Sequence, residues 1–580
     1  MPSLLARTPP LAAAVPRPRL GWLADAVLGL AAAFALQRAL QFSDDAVCAV
    51  INLGLFAAPL LLMLVLSGRV RVALATATLF TVLLWGLGEL KREYFGERLA
   101  LLDFLFLSEP ANWGIVERYP LLQAASAGYL ALALLLLVPA LGSLRGAPVA
   151  TPFRVLAGGL LVAWGTFAWQ HRHQHDWEVF RDDAECGPLK TCGVMSRLLF
   201  SYNVFEQPPA RPGGDPSRFA ALLAARPAPG VRPAAARPDV VLWLHESSFD
   251  PRQYRIDGAR WPALPMYEPG PQTWAHGALR VHTYGGKTWL SEFSALTGLL
   301  PDDFGPRRST VFNSVAPYTR DNLVRRFRDS GYRTVVLMPT PKRFYGAARS
   351  YAGLGFDRVM TLRDFPEYET VRGDEWDIAT SARLAEAATL LLRAHATGPE
   401  RERPLFLYLL SVHEHSPYPR STPVLPALQP ASLRRSLKAR LSNYLDKLQR
   451  LDQAQTRLDA FLRDFPRPAI WAWFGDHQAY FEEAQPPYRS TLPAPDHLTQ
   501  YQVRSNRRRP AGLDAPPLLD LALLPSLLAD GAGLAPSPYF EGLSAMRQAC
   551  DGRLEDCADA ALVTSYKAWV FAPERGLLPP

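Results

Sequence analysis

The chain has 580 residues, 49% of them hydrophobic and 20% charged, which is long enough for more than one domain. Its net charge of +8 and pI near 9.2 come from arginines scattered widely rather than from basic blocks. That pattern sets aside a nucleic-acid-binding protein, while a generally basic face suits anionic lipid headgroups.

Apolar stretches long enough to cross a bilayer fall at about residues 21–40, 46–66, 70–90, 121–142 and 153–170. Arg7, Arg17 and Arg19 precede the first, Arg69 and Arg71 separate the second from the third, and Arg145 and Arg154 separate the fourth from the fifth. The positive-inside rule therefore puts the N-terminus in the cytoplasm and, after an odd number of spans, everything beyond residue 170 outside. A cleaved signal peptide before a soluble protein does not fit, because four further apolar spans follow the first. Between spans three and four, Tyr94 to Leu107 alternates aromatic, apolar and charged residues, as expected of an element lying in the outer interface.

Residues 171–238 form the expected linker, with a Pro/Ala/Arg-rich tract from Pro208 to Pro238. Cys186 and Cys192, and later Cys550 and Cys557, are two close pairs; Cys48 is alone in an apolar run. Two disulfides in an oxidising compartment are the favoured expectation, and a four-cysteine zinc site is the rival.

From Asp239 the pattern changes. Val240–Leu244, Thr334–Met338, Leu405–Leu410 and Ala469–Phe474 are short, continuous apolar runs, and helical patterns separate them. The expected fold over 239–580 is an α/β domain with a mainly parallel buried sheet. Glu246, His415, Asp476 and His477 each lie just past one of these strands, where ligands bind in such sheets.

Between the first two strands, Gly285-Gly286-Lys287-Thr288 precedes Leu290, Phe293, Leu296 and Leu300 at helical spacing. Thr288 is thus expected at a helix N-terminus, where unbonded amides and the helix dipole favour an anion, with Lys287 beside it. The run is not a Walker A loop, since Val281 stands where its first glycine would be. A glycine turn with a capping threonine is the plainer alternative.

One glutamate, one threonine hydroxyl, one aspartate and one histidine make a mixed oxygen and nitrogen site for a divalent cation, with zinc accepting the set and manganese or magnesium preferring the oxygens. A cation on the Thr288 oxygen would make that hydroxyl a nucleophile, and His415 is placed to bind a phosphate oxygen or protonate a leaving alkoxide. Taken singly, Glu246 reads as a capping carboxylate and Asp476-His477 as a loop dipeptide.

Leu244-His245-Glu246-Ser247, Gly286-Lys287-Thr288 with Glu292-Phe293, His415-Ser416-Pro417-Tyr418 and Gly475-Asp476-His477, in this order, resemble the lipoteichoic-acid-synthase-like group of membrane phosphotransferases in the sulfatase/alkaline phosphatase superfamily. The resemblance implies that Glu246, Thr288, Asp476 and His477 hold one metal, commonly manganese. It also implies that Thr288 takes phosphoglycerol or a related headgroup from a membrane phospholipid and passes it to an acceptor, with His415 as the substrate histidine and no nucleotide needed. Where glycerol-phosphate-polymerising members carry a histidine, an aromatic and an arginine, this chain has Met338-Pro339-Thr340-Pro341-Lys342-Arg343-Phe344-Tyr345-Gly346-Ala347. Tyr345 would stand in for the aromatic, and Arg343 or Arg349 would supply the charge. This departure points to decoration of a periplasmic or surface glycan or lipid rather than polymerisation, and phosphoethanolamine transfer stays open. The expected setting is a bacterial inner membrane with the 239–580 domain in the periplasm. The rivals are a sulfatase- or phosphodiesterase-type hydrolase and a non-catalytic scaffold. Against the sulfatase, no Cys/Ser-x-Pro-x-Arg motif occupies the nucleophile position.

Overall fold

The computed structural model describes residues 21–40, 45–95, 99–101, 103–104, 119–174, 193–202, 212–226, 237–373, 375–481, 483–510 and 512–578. Cys186, Cys192 and most of the proposed interfacial segment lie outside them.

Five long helices make up most of the N-terminal unit: Gly21–Ala39, Ala46–Ser67, Val70–Phe95, Pro120–Gly142 and Thr151–Gln170. The first four are long and apolar enough to cross a membrane. The fifth forms at the expected place, but Arg154, Thr166 and Gln170 dilute its apolar face. The arginine-bearing turns lie at one end of the bundle, as their pattern expects. There Val149 N donates to Gly68 O at 2.8 Å, Arg69 donates to Gly146 O, and Arg154 reaches Val65 O at 2.6 Å.

The second unit is built on one eight-stranded sheet in the order β4-β3-β5-β1-β6-β7-β2-β8. Its strands are β1 Asp239–His245, β2 Thr273–Arg280, β3 Arg333–Leu337, β4 Arg358–Met360, β5 Leu405–Leu410, β6 Ala469–Gly475, β7 Leu498–Ser505 and β8 Leu518–Asp520. β7 runs antiparallel to both its neighbours, and every other pairing is parallel. The central strands read as unbroken apolar runs because both faces are covered. Val240, Leu242 and Leu244 join a core with the helices Thr288–Thr297, Leu323–Asp329, Leu524–Ala532 and Pro538–Ala549. Val241 and Trp243 point the other way, into a core with Ser381–Thr397 and Arg435–Arg463.

One expectation needs correction. The tract taken as linker contains the helix Ser217–Ala224, whose Phe219 is fully buried against Tyr566 and Trp569 at ring distances of 5.0 Å. Its Pro/Ala-rich flanks hid a short amphipathic segment. The leucines from 437 to 462 lie on a single helix, Arg435–Arg463. Of the two cysteine pairs, Cys550 and Cys557 form a disulfide, which removes the four-cysteine zinc site; Cys48 is buried.

Candidate active site

The site begins where β1 and β6 end together. Their parallel register pairs His245 with Gly475, so Glu246 and Asp476 leave adjacent strands at the same level. Gly475 permits this, since a Cβ there would lie 1.9 Å from the Ser248 carbonyl oxygen. Glu246 N donates to Ser411 Oγ at 2.9 Å, which ties in the end of β5. Tyr444, from the long helix, donates its hydroxyl to Ser247 O at 2.8 Å and fixes the turn. Ser247 itself is left-handed, with φ of 50°.

The glycine turn supplies the third component. Thr283 Oγ1 donates to Gly286 O at 2.7 Å, Gly285 takes φ of +71°, and Lys287 is also left-handed at +63°. The chain then enters the helix Thr288–Thr297 with Thr288 as its first residue, as the sequence predicts. Ser291 anchors that helix to the β6 end by donating to Asp476 O at 2.5 Å.

These elements bring the four predicted groups together. Thr288 Oγ1 donates to Glu246 Oε2 at 3.0 Å. His477 Nε2 lies 3.4 Å from Glu246 Oε1 and 3.3 Å from Asp476 Oδ2. One ligand atom from each of Glu246, Asp476 and His477 fits within a 4.8 Å span, and all three residues are buried. His477 Nδ1 lies 2.9 Å from the Gln478 carbonyl and donates to it, which leaves Nε2 a bare lone pair. Nε2 and Asp476 Oδ2 are buried without a hydrogen-bond partner. Burial and the Glu246 carboxylate push the Asp476 carboxyl well above its ordinary range, and burial pulls the His477 imidazole down, so it stays neutral. The unpartnered lone pairs of His477 Nε2 and Asp476 Oδ2, beside a Glu246 carboxylate that accepts from Ser247 and Thr288, fit a cation, and the oxygen and nitrogen donor set suits a divalent one.

His415 Nδ1 faces the Ser416 carbonyl at 2.7 Å, which orients Nε2 outward, and the ring is close enough to disfavour positive charge on His477. The residues expected on the substrate side are less gathered. Tyr345 is held in a left-handed conformation and donates its hydroxyl to Glu292 Oε2 at 2.9 Å, so that hydroxyl is already engaged. Arg343 and Arg349 are exposed, and no hydrogen bond or ion pair joins them to the cluster among the described residues.

Three features escaped the sequence. Glu292, one turn after Thr288, is fully buried and accepts from Tyr345, Tyr351 and Tyr408; burial raises its carboxyl to about 7, while those phenols oppose the shift. Its place beside Phe293 in the Gly-Lys-Thr motif, one turn after Thr288, was the available signal. Lys447 donates to His415 O at 2.6 Å and lies over the Tyr418 ring at 5.1 Å. Burial lowers its amine to about 8, against the pull of Glu414 and Glu246. Nothing in a leucine-rich helix distinguishes it. Finally, His282 is buried between Asp520, at 3.1 Å, and Glu555, at 3.5 Å. Burial would depress it, but the two carboxylates raise it to about 10. With both ring nitrogens donating, this cluster is an ion-pair clamp rather than a metal site.

The sulfatase family model matches residues 238–529, half of the chain and the whole of the site just described. The chain belongs to the sulfatase family. It is 28% identical over 515 residues to an uncharacterized protein of Haemophilus influenzae, covering 88% of this chain and 92% of that one. It is 25% identical over 269 residues to the capsular polysaccharide biosynthesis protein RkpI of Rhizobium meliloti, 46% of this chain and 45% of that one. Among solved structures, it is similar to the lipooligosaccharide phosphoethanolamine transferase EptA of Neisseria meningitidis, with a TM-score of 0.47, 12% identity, and 89% and 98% of the two chains covered. The Streptococcus pyogenes phosphoglycerol transferase GacH gives 0.46 and 16%, over 63% of this chain and 94% of that one.

Proposed function

We propose that this sulfatase-family membrane protein transfers a phospholipid headgroup, phosphoglycerol in the first instance, to a glycan or lipid acceptor through a phosphothreonine at Thr288. The observation that carries this reading is the Thr288 hydroxyl in contact with Glu246 beside the unpartnered Asp476 and His477 atoms. Glu246, Thr288, Asp476 and His477 would hold a divalent cation, manganese first and zinc or magnesium as alternatives, which supplies Lewis-acid stabilisation of phosphoryl charge. The Thr288 proton has an acceptor in place, Glu246 Oε2. The threonine oxygen bonds to phosphorus as the bond to diacylglycerol breaks, and diacylglycerol leaves with a proton, His415 Nε2 being the group we assign to deliver it. The amino end of the Thr288–Thr297 helix favours the resulting anion. An acceptor hydroxyl then displaces the Thr288 oxygen and regenerates the enzyme. Lys287 contributes positive charge, and we assign Tyr345, Arg343 and Arg349 to the headgroup side.

A glycan acceptor draws support from Rhizobium meliloti relatives named for capsular polysaccharide biosynthesis and, putatively, cyclic β-1,2-glucan modification. The helix and arginine pattern supports an inner-membrane protein with its 239–580 domain in the periplasm. Purified full-length protein given labelled phosphatidylglycerol or phosphatidylethanolamine and Mn2+ is expected to release diacylglycerol, and Thr288→Ala to abolish release. Full turnover by the alanine variant would overturn the assignment. The mass of the Thr288 adduct identifies the headgroup, and dependence on added acceptor separates transfer from hydrolysis.

A further inference from the structure

The loop after β7 holds the chain's one run of three arginines, Arg507, Arg508 and Arg509. They and Arg463 line a cavity of about 400 Å³ that has no acidic residue in its wall. Arg463 pairs with Asp464, but no ion pair holds Arg507, Arg508 or Arg509 among the described residues. By contrast, the buried Arg547 is held by both Asp514 and Asp530. Among the described residues the charges of Arg507 and Arg508 are therefore offset by no ion pair, while Arg509 lies near enough to Asp514 to help lower its carboxyl.

The loop is also built rather than slack. The Asn506 amide donates to the carbonyls of Leu462, Phe465 and Arg467, at 3.3, 3.2 and 2.8 Å, and its oxygen accepts from Ala469 N at 2.9 Å. Ser505 Oγ accepts from Arg507 N at 3.1 Å, and the Trp274 indole donates to Arg507 O at 3.0 Å. Six hydrogen bonds hold the loop while Arg507, Arg508 and Arg509 occupy exposed positions, the Arg509 guanidinium donating to Leu513 O. Such an arrangement reduces the ordering cost of binding an anion.

We propose that this cleft binds a segment of anionic glycan through its carboxylate or phosphate groups, which planar guanidinium groups can grip in bidentate fashion. This rests on the headgroup-transfer reading above. β7 runs against β6, so the loop hangs at the pole where β1 and β6 begin, opposite Asp476. Seven strand residues put the two sites roughly 20 Å apart. The arginine cleft thus lies at the pole of the sheet opposite the centre that would take the headgroup. Its polar wall, with Gln272, Thr273 and Ser505, offers hydrogen-bonding partners to the hydroxyls of a chain of sugars. Each transferred phosphodiester makes a glycan more anionic, so the cleft would retain a modified chain while a further unit reaches Thr288.

The test is calorimetric titration of full-length Thr288→Ala protein, in neutral-lipid nanodiscs, with tetragalacturonate and with uncharged maltotetraose. The expected result is binding of the anionic tetramer alone, weakened by salt and reduced about tenfold or more by Arg507→Glu with Arg508→Glu. Equal affinity in the charge-reversed variant, or equal binding of maltotetraose, would overturn the proposal. So would charge-dependent flotation with phosphatidylglycerol vesicles in the absence of any glycan binding. The Thr288→Ala background makes the measurement independent of turnover: loss of glycan binding removes the cleft, whereas absent diacylglycerol release in the parent removes the catalytic reading.

Discussion

A neutral imidazole nitrogen aimed at two carboxylates is unfavourable unless something positive lies between them. At the scale of single residues, this makes His477 and Asp476 the sensitive reporters of the candidate centre, since their Nε2 and Oδ2 are buried and unpartnered. Manganese in excess is expected to raise the thermal midpoint, by an amount equivalent to about 2.7 kcal/mol at a hundredfold excess over Kd. Chelation should reverse the rise, and Asp476→Asn should show almost none of it in differential scanning calorimetry. His282 gives a second residue-level test. Its imidazole is raised from 6.5 to about 10 in the folded protein, so its contribution to stability is fully present below pH 6.5 and is lost as pH climbs through 10. Urea midpoints of the parent should fall across that window relative to His282→Gln, whose profile lacks this component.

The elements show why some of this was legible and some was not. β1, β3, β5 and β6 declare themselves as apolar runs because they are buried on both faces, and the polar residues just past them are where a parallel sheet presents its ligands. β2, with His276 and Gly277 inside it, and β7, with Thr499, Gln500, Gln502 and Arg504, have no such run. β4 and β8 are three residues long. The helix Leu323–Asp329 starts where Asn322 caps it by accepting from Arg325 N at 3.0 Å. Glu246, Thr288, Asp476 and His477 were readable since each sits at a strand end or helix start; Glu292 and Lys447 owe their burial to partners distant in sequence. Backbone closeness at the β6 end is equally nonlocal. Gly475→Ala would drive a methyl into Ser248 O and should cost about 3 kcal/mol or more by chemical denaturation. Gly286→Ala, with open space around its Cβ, should cost less than about 1 kcal/mol.

Across the whole molecule, the C-terminal disulfide does more than close a short loop. The loop from Cys550 to Cys557 carries Glu555 against His282, and Gly552 O accepts from Asp520 N at 2.7 Å. The far end of the chain thereby braces the segment that runs into Thr288. Replacing both cysteines by serine should lower unfolding free energy by about 2–4 kcal/mol and weaken the pH dependence contributed by His282. The second pair, Cys186 and Cys192, lies outside the described residues, and thiol alkylation with mass analysis will show whether it is bridged. One consequence follows from how widely the key groups are spread. Glu246 and His477 are separated by 230 intervening positions and become neighbours only when β1 and β6 lie side by side. A nascent polypeptide emerging amino end first therefore cannot assemble this cluster until residue 477 of 580 has been made.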